Sequence, residues 1–504
     1  MKPLSKSQYV RGRQCVKSLW LYRHRKELAD PVDEFQQQVF DKGTEFGKLA
    51  MQRFPGGVLI EQGHDDPEGA IAATTAAMNA GVRVIYEAAF LHDDVLVRAD
   101  VLVRGGIDES SGRPTAWWDL YEVKSSTKVT DVYLEDVAIQ RYVLKGAGLD
   151  VRRAFVAHAN SAYVRRGALD LNALFAIEDV TEASRDACLD VPATLKMLKQ
   201  FADGAEAPPK GIGDHCAKPY GCDFRGHCWA HVPEYSVFDI PYAKMDKKLE
   251  LFNRGILRVK DVDPGWTGLS DKRSIRAVET ARLGRPAVDA KAIAKFLNGL
   301  TYPLAHLDFE TEALVVPPYD GLRPYSQMPF QASVRVQQER GGTVVESGFL
   351  GDGLSDPRDG VTDFLLRALP PRGTILAYYK PFEAGRIKEL AEEPSARPLL
   401  DALERLQDLA DPFSKGWYAH PDFLGKWSIK NVLPVLVPSM TYANLVIKNG
   451  TEAMAAYAEL RDPATSDERR AVLAAALKVY CGQDTEAMVQ ILAHLYEVVG
   501  QVAA

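Results

Sequence analysis

Acidic residues recur at short intervals at two places in this chain of 504 residues. In the first half, Asp100 precedes Glu122 and Lys124, and the last two share one face of a strand if the segment is extended. Carboxylates suit Mg²⁺ or Mn²⁺, which lower the pKa of bound water and polarise a phosphoryl oxygen. A lysine there can stabilise developing charge. The pattern fits phosphodiester hydrolysis, although three such residues in isolation are better explained by an ion pair on a surface strand.

The second acidic set lies in the other half of the chain. Asp308 and Glu310 alternate on a predicted strand, Glu383 follows, and Tyr480 and Asp484 are four apart on one predicted helix face. Acidic groups brought together repel one another unless cations bind between them. Two metal ions in such a site can clamp the attacking and leaving oxygens of a displacement, and a phenol can orient water.

The composition is that of a soluble globular protein, with 46% hydrophobic and 26% charged residues. The net charge of −7 excludes a globally basic nucleic-acid binder, but it permits a local basic groove. The N-terminus lacks the apolar core of a signal peptide, and no apolar run is long enough for a membrane span. We therefore expect a cytoplasmic protein without a membrane partner. In that compartment the six cysteines are better explained by metal binding than by disulfides.

Two α/β patterns must position the acidic residues. The first runs strand–strand–strand–helix–strand after an initial helix, and the second begins at Tyr302 and ends in a long helical tail. We expect a multi-domain α/β protein with domains at residues 1–235 and 301–504, joined by a helical region at 236–300. The predicted elements of the first domain are a helix at 35–54, strands at 82–90, 95–103 and 117–123, a helix at 132–145 and a strand at 151–158. In the second, we predict strands at 304–309, 330–337 and 374–379.

The first pattern resembles the RecB-type PD-(D/E)XK nucleases over about residues 4–230, in the run VRADVLVR…LYEVKSSTKVTDVYLEDVAIQRYVL. The resemblance implies a restriction-endonuclease-like α/β core. It also implies that Asp100 and Glu122 bind the metal, that Lys124 is catalytic, and that Gln140 contacts substrate or the metal shell.

Two features of this sequence depart from the RecB-type pattern. The tyrosine of the family's QxxxY helix is replaced by Tyr142, which comes two residues after Gln140. The histidine that many members carry on the first helix is missing from GTEFGKLA at residues 43–50. Glu87 either takes the place of that histidine or is an exposed strand glutamate.

Four cysteines resemble the iron–sulfur set of RecB-like nucleases, with one far upstream and three clustered in DHCAKPYGCDFRGHC. They are Cys15, Cys216, Cys222 and Cys228. The resemblance implies a 4Fe-4S cluster that ties the N-terminal segment to the end of the domain. A structural zinc ion, with His215 or His227 available, is the alternative, although the spacings exceed those of a short CxxC knuckle. We interpret Cys188 and Cys481 as core thiols.

The second acidic set resembles the DEDD exonucleases, whose fold is ribonuclease H-like, in the motifs HLDFET, ILAYYKPFEAGRI and YCGQDT. The resemblance implies metal ligands and a catalytic tyrosine at Asp308, Glu310, Glu383, Asp484 and Tyr480. Glu383 stands where aspartate is usual and Lys380 where asparagine is usual. These departures leave open a C-terminal domain that does not cleave.

Further segments, PFQASVR, WSIKNVLP and MTYANLVIKNGTEAMAAY, resemble an uncharacterised bacterial family, the domain of unknown function numbered 2779. Its members pair the two kinds of module. Together the resemblances imply a Mg²⁺- or Mn²⁺-dependent deoxyribonuclease, expected to be an exonuclease, that acts on single-stranded DNA or duplex ends in processing, repair or defence. The alternatives are a nucleic-acid-binding or assembly protein with one inactive domain, and an exonuclease that acts on RNA.

Overall fold

The computed structural model describes residues 3–106 and 115–503. It divides into two compact units, Met1–His231 with Leu314–Ser326, and Val232–Ala313 with Gln327–Ala504. Both units contain helices and mixed sheets, which confirms the α/β class. Among the described residues, none of the helices has the length and apolar character needed to cross a membrane.

The first unit is built on one sheet flanked by helices. Its strands are β1 (Leu4–Ser5), β2 (Val58–Leu59), β3 (Val84–His92), β4 (Val95–Arg104), β5 (Trp117–Lys124), β6 (Asp150–Ala159) and β7 (Phe175–Asp179). Its helices are α1 (Lys6–Gln14), α2 (Val16–His24), α3 (Glu34–Arg53), α4 (Pro67–Asn79), α5 (Asp131–Gly146), α6 (Leu171–Leu174), α7 (Thr181–Cys188), α8 (Val191–Ala202) and α9 (Arg225–Trp229). The predicted helices and strands of this unit are confirmed, with shifts of one or two residues at their ends.

The strand order in this sheet is β2-β3-β4-β5-β6-β7, and β1 pairs with β4. The pairs β3–β4, β4–β5 and β6–β7 are antiparallel, whereas β5–β6 is parallel. Asp93 and Asp94 join β3 to β4 with φ of 49° and 52°, as a tight hairpin turn with left-handed central residues requires. The sheet is therefore strongly specified around β4 and β5, which carry the first acidic set.

Successive side chains along each strand point to opposite faces of this sheet, and both faces are buried. Ala154 and Val156 of β6 pack into a core with Val143 of α5. Ala157, next along the strand, packs instead with Phe46 of α3. Each fully buried aliphatic or aromatic side chain contributes about 1.5–3 kcal/mol. The two cores hold α3 and α5 on opposite faces of the sheet.

The second unit contains a five-stranded sheet of order β11-β10-β9-β12-β13. The strands of this unit are β8 (Ala287–Val288), β9 (Leu304–Ala313), β10 (Gln327–Gln337), β11 (Val344–Leu350), β12 (Ile375–Ala377), β13 (Leu406–Asp408) and β14 (Tyr418–Ala419). The helices are α10 (Met245–Asn253), α11 (Lys272–Leu283), α12 (Ala290–Asn298), α13 (Arg358–Ala368), α14 (Lys380–Leu390), α15 (Leu400–Arg405), α16 (Asp411–Ser414), α17 (Ile429–Leu436), α18 (Gly450–Arg461) and α19 (Asp467–Ala503).

In this sheet β10 is antiparallel to both neighbours, and β12 is parallel to β9 and to β13. The register of β10 against β9 shifts between Pro329 and Gln331, opposite Glu310. Proline lacks the N–H that a ladder needs, so a bulge at this point is expected. The strand predicted at 374–379 is shorter than expected, because Tyr379 adopts φ 83° and α14 begins directly after it.

Candidate active sites and cysteine cavity

The N-terminal acidic residues are brought together by the pairing of β4 with β5. Val101 lies opposite Tyr121, so Asp100 and Glu122 occupy adjacent positions on neighbouring strands. Asp100 Oδ2 accepts a hydrogen bond from the Val123 N–H at 2.7 Å. From α5, Gln140 Nε2 donates to Glu122 Oε2 at 2.5 Å. Gln140 is fully buried, so in this conformation it orients Glu122 and has no face open to substrate.

Two lysines surround the Glu122 carboxylate, which is 1% exposed. Lys6 Nζ lies 2.7 Å and Lys124 Nζ 2.8 Å from Glu122 Oε1. Lys124 also reaches Asp136 Oδ2 at 2.5 Å. Lys6 was missed from the sequence, because it lies 116 residues from its partner and belongs to no motif.

The two acids of this site differ in protonation. Burial alone would raise the pKa of Glu122, but Lys124 and Lys6 outweigh burial and hold that pKa at about 2. Burial and the nearby Glu122 charge raise the pKa of Asp100 to about 7. Glu122 is therefore ionised at neutral pH, whereas Asp100 is partly protonated.

A cleft of about 530 Å³ opens beside these residues. Asp100, Val123 and Lys124 line one wall. The other wall is one face of α3, formed by Val39, Phe40, Gly43, Thr44, Gly47, Lys48 and Met51. The helix segment in which the RecB-type resemblance leads one to expect a histidine thus lines the cleft with glycine, threonine and lysine.

Glu87 and Tyr142, which the sequence analysis considered as substitutes for residues of the RecB-type pattern, each contact another residue. Glu87 lines the cleft, with φ 56°, but its Oε2 accepts a hydrogen bond from Arg98 Nε at 3.1 Å. The Tyr142 hydroxyl donates to Asp93 Oδ2 at 3.1 Å and is outside the set of cleft residues. Tyr142 therefore does not replace the tyrosine of the QxxxY pattern at this cleft.

The four predicted cysteines line one small cavity, together with His215 and Phe224. All six cysteines are free thiols. Among described residues, no set of three or more of these thiols and histidines has ligand atoms mutually within 4.8 Å.

Contacts between α1 and the cysteine-rich segment hold this cavity closed. Arg11 donates to both carboxylate oxygens of Asp223, at 2.5 and 2.9 Å. Gln14 Nε2 donates to the carbonyls of His215 and Tyr220, at 2.8 and 2.7 Å. Bidentate charged pairs of this kind fix geometry as well as adding energy. The segment that carries Cys15 and the segment that carries the three later cysteines are thus held together by side-chain hydrogen bonds.

The C-terminal acids converge where β9 meets α19. Asp308 and Glu310 share one face of β9, and Asp484 projects from α19. Ligand atoms of these three lie within 4.8 Å of one another. Glu383, in the first turn of α14, is 3% exposed, and its Oε2 has no hydrogen-bond partner among the described residues. A buried carboxylate oxygen without a donor is costly unless a cation completes it.

Burial, and after it the mutual repulsion of these acids, sets their protonation. The pKa values of Asp308 and Glu310 rise well above their ordinary range, with Asp484 the strongest acidic neighbour of each. The pKa of Glu383 rises to about 8 and that of Asp484 to about 6, each chiefly through burial. Such a cluster favours either bound protons or bound cations at neutral pH.

Three further side chains frame this cluster. The Tyr442 hydroxyl donates to Asp484 Oδ1 at 2.5 Å, and Lys430 Nζ donates to the Tyr480 hydroxyl at 3.1 Å. Burial, followed by the charge of Asp484, raises the pKa of both tyrosines, so each remains a neutral donor. Lys430 and Tyr442 were not among the predicted site residues, although both lie in the WSIKNVLP and MTYANLVIKNG segments noted in the sequence.

Three other residues near the acidic cluster have hydrogen bonds to neighbouring groups. Asp408 accepts from the backbone N–H groups of Tyr379 and Lys380, at 3.1 and 3.0 Å, and so caps the helix that carries Glu383. Lys380 Nζ donates to the Leu406 carbonyl at 2.6 Å. Cys481, predicted as a core thiol, is buried but lies 3.7 Å from Asp308 Oδ2.

Residues 305–428 match the model of a family described as Domain of unknown function (DUF2779). The matched span includes Asp308, Glu310 and Glu383 and ends before Tyr480 and Asp484. No curated protein matches the chain significantly.

Proposed function

We propose that this chain is a metal-dependent DNA nuclease with two sites, one in each unit. The observation that carries the proposal is the convergence of Asp308, Glu310 and Asp484. Glu383, whose buried Oε2 has no hydrogen-bond partner among the described residues, is outside that group of three, but its charge acts on Asp308 and Glu310. Burying like charges is unfavourable unless they bind cations. A phosphodiester hydrolase needs such a site, because bound divalent ions supply charge stabilisation and activate water.

In the C-terminal site the four carboxylates would hold Mg²⁺ or Mn²⁺. The Tyr480 hydroxyl, fixed by Lys430 at 3.1 Å, would orient water or a substrate phosphate. Tyr442 keeps Asp484 turned toward the other acids through its 2.5 Å hydrogen bond. The strand order, with the first strand central and the second antiparallel, supports a ribonuclease H-like fold and a DEDD assignment.

In the N-terminal site Asp100 and Glu122 would hold the ion, and Lys124 would stabilise charge on the phosphate. Gln140 would position the ligand Glu122 through its hydrogen bond, which favours the metal-shell role over the substrate contact among the two roles that the resemblance implies. The cleft of about 530 Å³ leaves room for a strand of nucleic acid beside Asp100 and Lys124. These features support a restriction-endonuclease-like, RecB-like PD-(D/E)XK domain.

For the cysteine cavity we propose a 4Fe-4S cluster with a structural role. Four thiols around one cavity are the donor set that a 4Fe-4S cluster needs, and the resemblance to iron–sulfur RecB-like nucleases favours that cluster. A structural zinc ion, with His215 in the same cavity, is the alternative. Anaerobically purified protein should be brown and contain iron; a colourless protein with stoichiometric zinc would favour the zinc alternative.

The nuclease proposal is tested with labelled single-stranded DNA, duplex DNA and RNA in the presence of Mg²⁺ or Mn²⁺. We expect cleavage of DNA that EDTA stops, and a reduced rate in both Lys124→Ala and Asp484→Ala. Unchanged rates in both variants would refute the assignment. A non-cleaving C-terminal domain, suggested by Glu383 and Lys380 at unusual positions, would instead give salt-sensitive binding without product from that site. A role in DNA processing, repair or defence is part of the same proposal.

A further inference from the structure

Lys6 reaches the N-terminal site from the start of the chain. β1 pairs in parallel with β4, with Leu4 opposite Val95 and Ser5 opposite Leu96, and α1 begins directly after this pairing. Ser5 then caps α1, its hydroxyl accepting from the Gln8 N–H at 3.2 Å. Lys6 is the first residue of α1, and its ammonium lies 2.7 Å from Glu122.

The rest of α1 fixes that position. Arg13 pairs with Glu135 at 2.7 Å, and the Arg11 and Gln14 contacts anchor the other end of the helix. Holding an N-terminal segment in one conformation costs about 1–2 kcal/mol per residue in backbone entropy. Because α1 is anchored at both ends, Lys6 is held in a fixed position at the site.

One oxygen of the Glu122 carboxylate, Oε1, is already occupied by two ammonium groups. This oxygen receives both Lys6 and Lys124, and the other receives Gln140. Lys124 has a second anchor in Asp136, whereas in the described part of the chain the ion pairs of Lys6 are with Glu122 alone. A divalent ion that binds Glu122 at Oε1 as well as Asp100 would have to displace one of these two ammonium groups, and Lys6 is the one held by a single carboxylate.

We propose that Lys6 is a positioning residue that competes with the divalent ion for Glu122 and thereby sets the ion affinity of the N-terminal site. This inference rests on the metal site proposed there. The contact of 2.7 Å lets Lys6 orient Glu122 when the ion is absent, and its ammonium repels an incoming cation. Removing the Lys6 ammonium leaves Glu122 less stabilised in the ion-free protein and removes the repulsion of the divalent ion. Both effects strengthen ion binding.

The test measures Mn²⁺ binding by electron paramagnetic resonance, with the full chain carrying Asp308→Asn and Asp484→Asn to silence the other site. In this background we expect Lys6→Met to lower the Mn²⁺ Kd at least about tenfold. Lys6→Arg retains the charge and should leave the Kd within about threefold of the background value. Lys145→Met, at the exposed end of α5, is the matched control and should change nothing.

An unchanged or weaker Mn²⁺ affinity in Lys6→Met overturns the role of Lys6. The metal site itself is checked separately by Asp100→Asn, which should abolish Mn²⁺ binding in the same background. If Asp100→Asn abolishes binding and Lys6→Met has no effect, the metal site stands and the inference about Lys6 fails. If the background protein binds no Mn²⁺, both fail. Lys6→Gln replaces Lys6→Met if circular dichroism shows that the latter does not fold.

Discussion

The substitution Glu383→Gln tests whether the C-terminal acids are a site built for cations. Glutamine has nearly the shape of glutamate but cannot ionise, so it removes one charge from the buried cluster without leaving a cavity. Glu383 is 3% exposed, and chiefly its burial raises its pKa from an ordinary value of 4.5 to about 8. We expect the variant to be more stable than the wild type without metal at alkaline pH, and to bind metal less well.

The sign and size follow from proton linkage. Between pH 4.5 and about 8, folded Glu383 holds a proton that the unfolded chain has lost, so raising the pH favours unfolding. The stability from this group is fully present below pH 4.5 and is lost as the pH reaches about 8. At 1.36 kcal/mol per pH unit, the loss is at most about 5 kcal/mol. Glu383→Gln abolishes this loss.

The assay is urea unfolding of the full chain in EDTA at a series of pH values, for wild type and variant. Their free energies of unfolding should coincide near pH 4.5 and diverge by up to about 5 kcal/mol near pH 8, with the variant more stable. Glu392→Gln, an exposed substitution just beyond α14, is the matched control and should follow the wild type. Saturating Mn²⁺ should shrink the difference, because the ion stabilises the ionised site of the wild type more.

Two outcomes would refute this reasoning. If Glu383→Gln is less stable than the wild type in EDTA at pH 8, the Glu383 carboxylate has a compensating partner in the folded protein. If the difference between the two proteins does not change with pH, the carboxylate is not buried among like charges. Either result would remove the strongest physical support for a metal site in the C-terminal unit.

Two other substitutions test neighbouring parts of the account. Tyr442→Phe removes the 2.5 Å hydrogen bond that favours ionised Asp484. The pH midpoint of Mn²⁺ binding, measured by titrations at several pH values, should therefore rise by roughly half to one pH unit. An unchanged midpoint would contradict this expectation. Cys222→Ser should remove the visible absorption of the proposed iron–sulfur cluster and lower the thermal unfolding temperature. Cys188→Ser, which lies outside the cavity, is the control and should retain the absorption. Identical spectra for the two variants would contradict the assignment.

The elements of the first unit could be predicted because local patterns decide them. Alternating apolar residues specify β4 and β5, and the Asp93–Asp94 pair specifies the turn before β4. The proximity of Asp100 and Glu122 follows from the antiparallel pairing of β4 with β5. Lys6 could not be found in this way, because its contact with Glu122 depends on a two-residue strand and on the anchoring of α1 at its far end.

The C-terminal cluster was predictable through its acids, whose motif spacing reflects one strand and two helices. The partners Lys430 and Tyr442 were not, because a lysine at the start of a helix and a tyrosine in a loop have no periodic signal. The early end of β12 was also missed, because a left-handed Tyr379 is held by Asp408 from another strand. Tertiary hydrogen bonds decide these features, and a single sequence does not display them.

The central claim is that two separate acidic sites hydrolyse nucleic acid with a divalent ion. The most direct measurement is the rate of labelled-DNA cleavage in Mn²⁺ by four purified proteins: wild type, Asp100→Asn, Asp484→Asn and the variant that combines both. The account predicts that each single variant loses part of the activity and that the combined variant is inactive. A combined variant that cleaves at the wild-type rate would contradict the claim.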